Sequence, residues 1–298
     1  MMSYHGPMTF APTLAPHART LRLPNGLTIA CADAGREHSS AVLLVHGLQD
    51  EADTWRHAIE PLAQHHRVVA VDLPGFGRSD KPKRRYTVRF FADTLLAVLD
   101  ALHIASAHFV GNSLGAMICD WVAMRHPERV ARLTLVDGTA VITQPPPTPR
   151  PSLSQMLFPD RADRRFFAAL RRAPDDAYAT LTPYYADLAA LPEPDRTFLY
   201  RRVNERVWDE AQRVAALATR SALLPFLLWN SRRLRADAAA LRTPTTVIWG
   251  AHDHILNPIN GRARAALQAG ARFIEIAGCG HLPQQERPAE FVRAVLDA

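Results

Sequence analysis

The chain is 298 residues long, 48% apolar and 21% charged, with a formal net charge of +6. That length allows one large domain or two small ones around a sizeable core, and the balance is that of a globular protein. No apolar run reaches the roughly 18–20 residues of a membrane span, and the positive charge rests on arginines scattered among acids, as in Arg161-Ala162-Asp163-Arg164-Arg165, so neither stable membrane insertion nor nucleic-acid binding is expected.

In chain order, the alternating runs 19–23 and 27–31 flank Pro24-Asn25-Gly26, and an Asn-Gly between such runs predicts a hairpin. Residues 41–45 are continuously apolar, as in a strand buried on both faces. A helical pattern over about 54–65, a buried strand at 68–71, a helix at about 88–102 and a strand at 107–110 follow. A helix to about Arg125 and a strand at 131–136 complete this stretch. The histidine pair His65-His66 is expected at a helix end, where positive charge suits the dipole. After Asp137 the rhythm breaks. Pro145-Pro146-Pro147, Pro149 and Pro151 predict a stiff, extended exit, and residues 152–241 are helical in pattern with no convincing strand. Strands at 245–249 and 272–276, and helices at 261–267 and 288–296, close the chain. Alternating buried strands and helices predict an α/β fold whose parallel sheet carries helices on both faces. The expected division is a core of 1–140 and 242–298 with a helical cap at 141–241.

The three cysteines, Cys31, Cys119 and Cys279, are odd in number and lack metal-like spacing. Residues 1–16 show no basic stretch followed by an apolar core, so no secretory leader is expected. Together these features predict a cytoplasmic protein with reduced thiols.

Chemistry concentrates at Gly111-Asn112-Ser113-Leu114-Gly115, between a predicted strand and a predicted helix. A serine on such a turn presents its hydroxyl outward, and small neighbours avoid collision with the adjoining backbone. The hydroxyl is a weak nucleophile and needs a base. His281 follows the last predicted strand, on the side of the sheet where the Ser113 loop also lies, so it is the candidate base. A carboxylate must orient that histidine. Asp253 and Asp137 both follow strands and both fit the chain order; Asp253 is preferred because its loop neighbours the His281 strand. Backbone donors for a developing oxyanion are expected at the Leu114 and Leu48 amides, the latter in His46-Gly47-Leu48-Gln49.

These segments resemble the α/β-hydrolase superfamily, in its branch with a helical cap. The matching motifs are His46-Gly47, Asp72-Leu73-Pro74-Gly75-Phe76-Gly77-Arg78-Ser79, the Ser113 pentapeptide, 250–253 and Gly280-His281, in the family's order. The resemblance implies a mostly parallel eight-stranded sheet, with Ser113 as nucleophile, Asp253 as acid and His281 as base. It also implies that neither a metal nor an organic cofactor is required. Haloalkane dehalogenases and related epoxide hydrolases carry an aspartate where this chain has Ser113. Hydrolases of ring-cleavage products share Gly-Asn-Ser, but usually have a Gly-Pro-Gly-rich stretch after His-Gly and a tryptophan after the histidine. Here Leu48-Gln49-Asp50-Glu51 and Leu282 stand in those places.

The expected activity is therefore serine carboxylesterase chemistry on small to medium, largely apolar substrates, by a monomer or homodimer. A carbon–carbon hydrolase of vinylogous diketones, or a small-molecule receptor on the same fold, is the alternative. Asp72 is expected to brace a loop, Gly75, Gly77 and Ser79 to shape a turn, and His252 and His254 to be loop residues rather than metal ligands. Asn112 either braces the elbow or touches substrate. The cap carries Phe158, Phe166, Phe167, Tyr184, Tyr185, Phe198, Trp208, Phe226 and Trp229, most of them expected to pack and a few to line an acyl pocket. Residues 145–242 hold 16 arginines against 11 acids, an excess of five that reads as solvated surface or as affinity for a carboxylate-bearing substrate.

Overall fold

The hairpin forms at the Asn-Gly signal: β1 (Ala18–Arg22) and β2 (Thr28–Ala34) pair antiparallel, and Gly26 takes a φ of 83° in the turn. This computed structural model describes residues 8–144 and 159–298. The proline-rich exit at 145–151 and Phe158 lie outside the described residues. Six further strands join the sheet: β3 (Ala41–Val45), β4 (Arg67–Val71), β5 (Ala107–Asn112), β6 (Val130–Val136), β7 (Thr245–Gly250) and β8 (Arg272–Ile276). Their order is β1-β2-β4-β3-β5-β6-β7-β8, and every pair from β4 onward in that order is parallel. The mostly parallel eight-stranded sheet is thus as expected.

Period-two alternation divides the apolar strands between two cores. Leu43, Val45, Val69, Val71, Phe109, Leu135 and Trp249 pack with the helices α2 (Val88–Ala101) and α3 (Leu114–Arg125). Their neighbours Val42, Leu44, Val68, Ala70, Val110, Val136 and Ile248 pack on the opposite face with Trp55, Ile59, Leu62 and Phe291. Thr87 caps α2 by accepting the Phe90 N–H, which explains why the helix starts there.

The helix expected over 54–65 is shorter. A 3-10 turn (Ala52–Trp55) precedes a five-residue helix, α1 (Ile59–Ala63). Pro61 accounts for this, since its ring and missing N–H are tolerated only in a first turn. His65 and His66 directly follow α1, at the helix end expected, and both N–H groups donate to the Leu62 carbonyl (3.1 and 3.0 Å), but burial and then the charge of His65 push His66 below the usual histidine range, against a dipole role for it. Its Nδ1 accepts a hydrogen bond from Ser40 Oγ instead (2.7 Å).

Between β6 and β7 the regular elements among the described residues are helical: α4 (Pro159–Leu170), α5 (Pro174–Ala179), α6 (Glu193–Arg206) and the 31-residue α7 (Glu210–Ala240), which carries Pro225 within it. After β7 come α8 (Ile259–Leu267), α9 (Pro283–Glu286) and α10 (Pro288–Leu296). Among the described residues no helix is long and apolar enough to cross a membrane.

Candidate active site

Ser113 joins β5 to α3 with φ 56° and ψ −114°. A serine in that region is strained, and such strain survives only where the surroundings enforce it. Its N–H donates to the Val136 carbonyl of β6 (2.9 Å). A Cβ on Gly111 would overlap the Gly115 backbone, one on Gly115 the Val45 carbonyl, and one on Gly138 the Ser113 backbone. The turn is therefore packed from three sides by main chain that only glycine admits.

His281 is held through its own backbone. Its N–H donates to the Tyr184 carbonyl (2.8 Å), and its carbonyl accepts from Asn112 Nδ2 (3.1 Å). Asn112 thus braces the elbow: the same amide also reaches the Val136 carbonyl (3.3 Å), which resolves the choice the sequence left open. On the ring, Nδ1–H donates to Asp253 Oδ2 (2.8 Å). The other Asp253 oxygen accepts the Ile255 and Leu256 N–H groups (2.8 and 2.9 Å), so the carboxylate can turn only one oxygen to the histidine. His281 Nε2 is buried and has no hydrogen-bond partner among the described residues, leaving it as the nitrogen able to accept a proton.

Asp137 takes a different place. It sits at φ 47° after β6, and its Oδ1 accepts the Gly250 N–H (2.8 Å). Its Oδ2 is buried with no hydrogen-bond partner among the described residues. Complete burial, and next the charge of Asp253, push its carboxyl well above the usual range. Asp137, Asp253 and His281 offer three ligand atoms within 4.8 Å of one another. Two of those residues, His281 and Asp253, are committed to each other by a hydrogen bond. His252 and His254 are both exposed and outside this group, as expected of loop residues.

The loop after β3 approaches from the other side. A Cβ on Gly47 would lie 3.3 Å from Ser113 Cβ, so the main chain leading to Leu48 runs against the serine. Leu114 is the first residue of α3, and its amide is among those a helix leaves without an internal partner. His46 is a brace and not a base: burial pushes it below the usual range, its Nδ1–H donates to the Gly47 carbonyl (2.7 Å) and its Nε2 accepts from Leu73 N–H (2.9 Å). Asp72 anchors the loop's far end, as expected, by accepting the Ala52 N–H (2.7 Å) and the Arg78 guanidinium.

Several contributors carry no motif signal. Glu286 accepts the N–H groups of Gly280 and Ala186 (2.8 Å each), joining the histidine loop to the helical segment. The Tyr184 ring lies 5.8 Å from that of His281. Among the aromatics expected to pack, Phe167 and Tyr185 are buried, but Trp229 is 84% exposed and Phe166 53%. A cavity of about 630 Å³ bounded by Tyr178, Tyr185, Arg196 and Tyr200 includes neither Ser113 nor His281 in its lining.

Comparison with known proteins matches residues 40–288 to the alpha/beta hydrolase fold. The chain is 30% identical to 2-hydroxymuconate semialdehyde hydrolase of Pseudomonas sp. strain CF600, over 86% of this chain and 85% of that protein. It is 28% identical to epoxide hydrolase A of Mycobacterium tuberculosis, over 92% and 94%. Among solved structures, the enol-lactonase of Burkholderia xenovorans LB400 superposes with a TM-score of 0.72 at 25% identity, covering 94% of this chain and 98% of that one.

Proposed function

Because the chain belongs to the α/β-hydrolase fold family, we propose that it is a serine hydrolase of carboxylic esters, acting on small to medium, largely apolar substrates. The observation that carries this reading is a buried His281–Asp253 pair with a free Nε2, the His281 backbone being tied to Asn112, the residue before the strained Ser113. Ser113 Oγ attacks the ester carbonyl while His281 Nε2 takes its proton. The Leu114 and Leu48 amides receive the negative charge on the carbonyl oxygen. The imidazolium, balanced by Asp253, then protonates the leaving alcohol. Water gives its proton to Nε2 as its oxygen attacks the acyl carbon, and the imidazolium returns that proton to Ser113 Oγ as the carbon–Oγ bond breaks and the acid leaves. The helices between β6 and β7 act as the cap over this site, at 141–241 between the core segments 1–140 and 242–298, and Tyr184 is the aromatic it brings beside the base.

A serine at position 113 speaks against the aspartate-nucleophile chemistry of epoxide hydrolases, despite the 28% identity to one of them. The enol-lactonase neighbour favours ester cleavage, since a lactone is a cyclic ester. The likeness to a 2-hydroxymuconate semialdehyde hydrolase favours a second reading, carbon–carbon cleavage of ring-cleavage products by the same residues. A panel of aryl esters of increasing acyl length, with a coloured ring-cleavage product beside it, separates them. Ester turnover abolished in Ser113→Ala is expected; bleaching of the ring-cleavage product with no ester turnover would replace the first reading by the second. Equal turnover by wild type and Ser113→Ala would remove both.

A further inference from the structure

Asp50 and Glu51 follow the proposed oxyanion donor Leu48 by two and three residues, and Glu51 is fully buried. Two adjacent acids in a dry loop repel each other and need cations. Both cations come from one cap helix. In the last turn of α6, Arg206 Nη2 donates to Asp50 Oδ1 (2.6 Å) and Glu51 Oε1 (2.5 Å), and its Nε donates to Glu51 Oε2 (2.8 Å). One turn earlier, the buried Arg202 pairs with Glu51 (3.2 Å) and with Asp53 (2.6 Å). The loop between carries strain, with Gln49 at φ 61°.

We propose that Arg206, supported by Arg202, is a positioning residue for the oxyanion loop, so that docking of α6 onto Asp50 and Glu51 is what holds the Leu48 amide against Ser113. The loop is gripped at two points: Asp72 holds the Ala52 N–H at its far end, and Arg206 holds the acids between. Without Arg206 the two carboxylates turn toward water and draw Leu48 with them. Two of the cap arginines that raised the question of an anionic substrate, Arg202 and Arg206, thus neutralise the protein's own acids. This inference rests on the serine-hydrolase reading.

Arg206→Lys keeps the charge but loses the two-pronged geometry; Arg206→Gln loses both. Arg213→Lys is the control, because the buried Arg213, on the next helix α7, pairs with Asp160, Asp163 and Glu210 and, among the described residues, with no acid of the oxyanion loop. The full chain is used, with folding checked by circular dichroism. Expected for Arg206→Lys is a kcat lower by about 10- to 100-fold with KM within a few-fold, and an equal loss of affinity for an arylboronic acid, which forms a tetrahedral adduct on serine. Affinity for a carboxylate product, which needs no oxyanion donor, should hold. Arg213→Lys should melt lower with kcat unchanged. Should Arg206→Gln fail to fold, Asp50→Asn, at the partly exposed end of the clamp, should still lower kcat in the same direction. Wild-type kcat and boronic acid affinity in the Arg206 and Asp50 variants would overturn the proposal, whatever their melting temperatures. The two readings fail separately: turnover that survives Ser113→Ala removes the nucleophile, not the clamp.

Discussion

Asn112 Nδ2 donates to the main-chain carbonyl of His281 across 169 residues of sequence, at 3.1 Å. The residue before the proposed nucleophile thereby fixes the backbone of the proposed base. Asn112→Ala leaves the His281 carbonyl without this donor, costing about 1–3 kcal/mol if no water replaces it, while the Val136 carbonyl keeps the Ser113 N–H. A lower melting temperature and a lower kcat with KM little changed are expected. A kcat equal to wild type would show that the His281 loop needs no such tie.

Asp253 and Asp137 are told apart by what each accepts. Asp253→Asn would present an amide where His281 Nδ1–H needs an acceptor, favouring the wrong tautomer, and kcat should fall by about 10⁴-fold. Asp137→Asn keeps an oxygen for Gly250 N–H and should leave kcat within a few-fold. Steady-state ester kinetics on both variants check this, and the reverse pattern would exchange their roles.

Asp137 also bears on stability against pH. In the unfolded chain its carboxyl releases a proton near pH ~3.9. In the fold, burial and the Asp253 charge raise that point. Across the window between the two values the unfolded state binds fewer protons, so stability falls as pH rises through it. Asparagine at 137 cannot ionise. Asp137→Asn should therefore melt above wild type at pH 7, with the gap closing toward pH 3; a gap constant with pH would mean that Asp137 is not held protonated.

The glycines around Ser113 should differ in kind. At Gly115 a Cβ meets the Val45 carbonyl of a central strand, which cannot yield, so Gly115→Ala should give little soluble protein. At Gly47 a Cβ meets Ser113 Cβ at 3.3 Å and Asn112 Oδ1 at 3.4 Å, contacts that small shifts relieve. Gly47→Ala should fold and lose kcat. Soluble yield and ester turnover of the two variants read the difference.

Local physics made much of this protein legible from its residues. Continuous apolar runs mark strands buried on both faces, an Asn-Gly between alternating runs marks the hairpin, and a serine between small residues at a strand-to-helix junction marks the elbow. Those features depend on neighbours within a few positions, so order along the chain carries them. Pro61 is equally local, and its place in the first turn of α1 leaves only Ile59–Ala63 of the 54–65 pattern as α-helix.

What tertiary structure alone decided is which distant groups meet. Chain order admits Asp253 or Asp137, and only packing commits Asp253 to His281 while sealing Asp137 away with an unpartnered oxygen. Likewise nothing near Asp50 and Glu51 in sequence announces that Arg206, some 155 residues on, neutralises them. Hydrogen bonds and ion pairs act over about 3 Å in space and are blind to separation along the chain. A sequence therefore names the candidates, and the fold selects the partners.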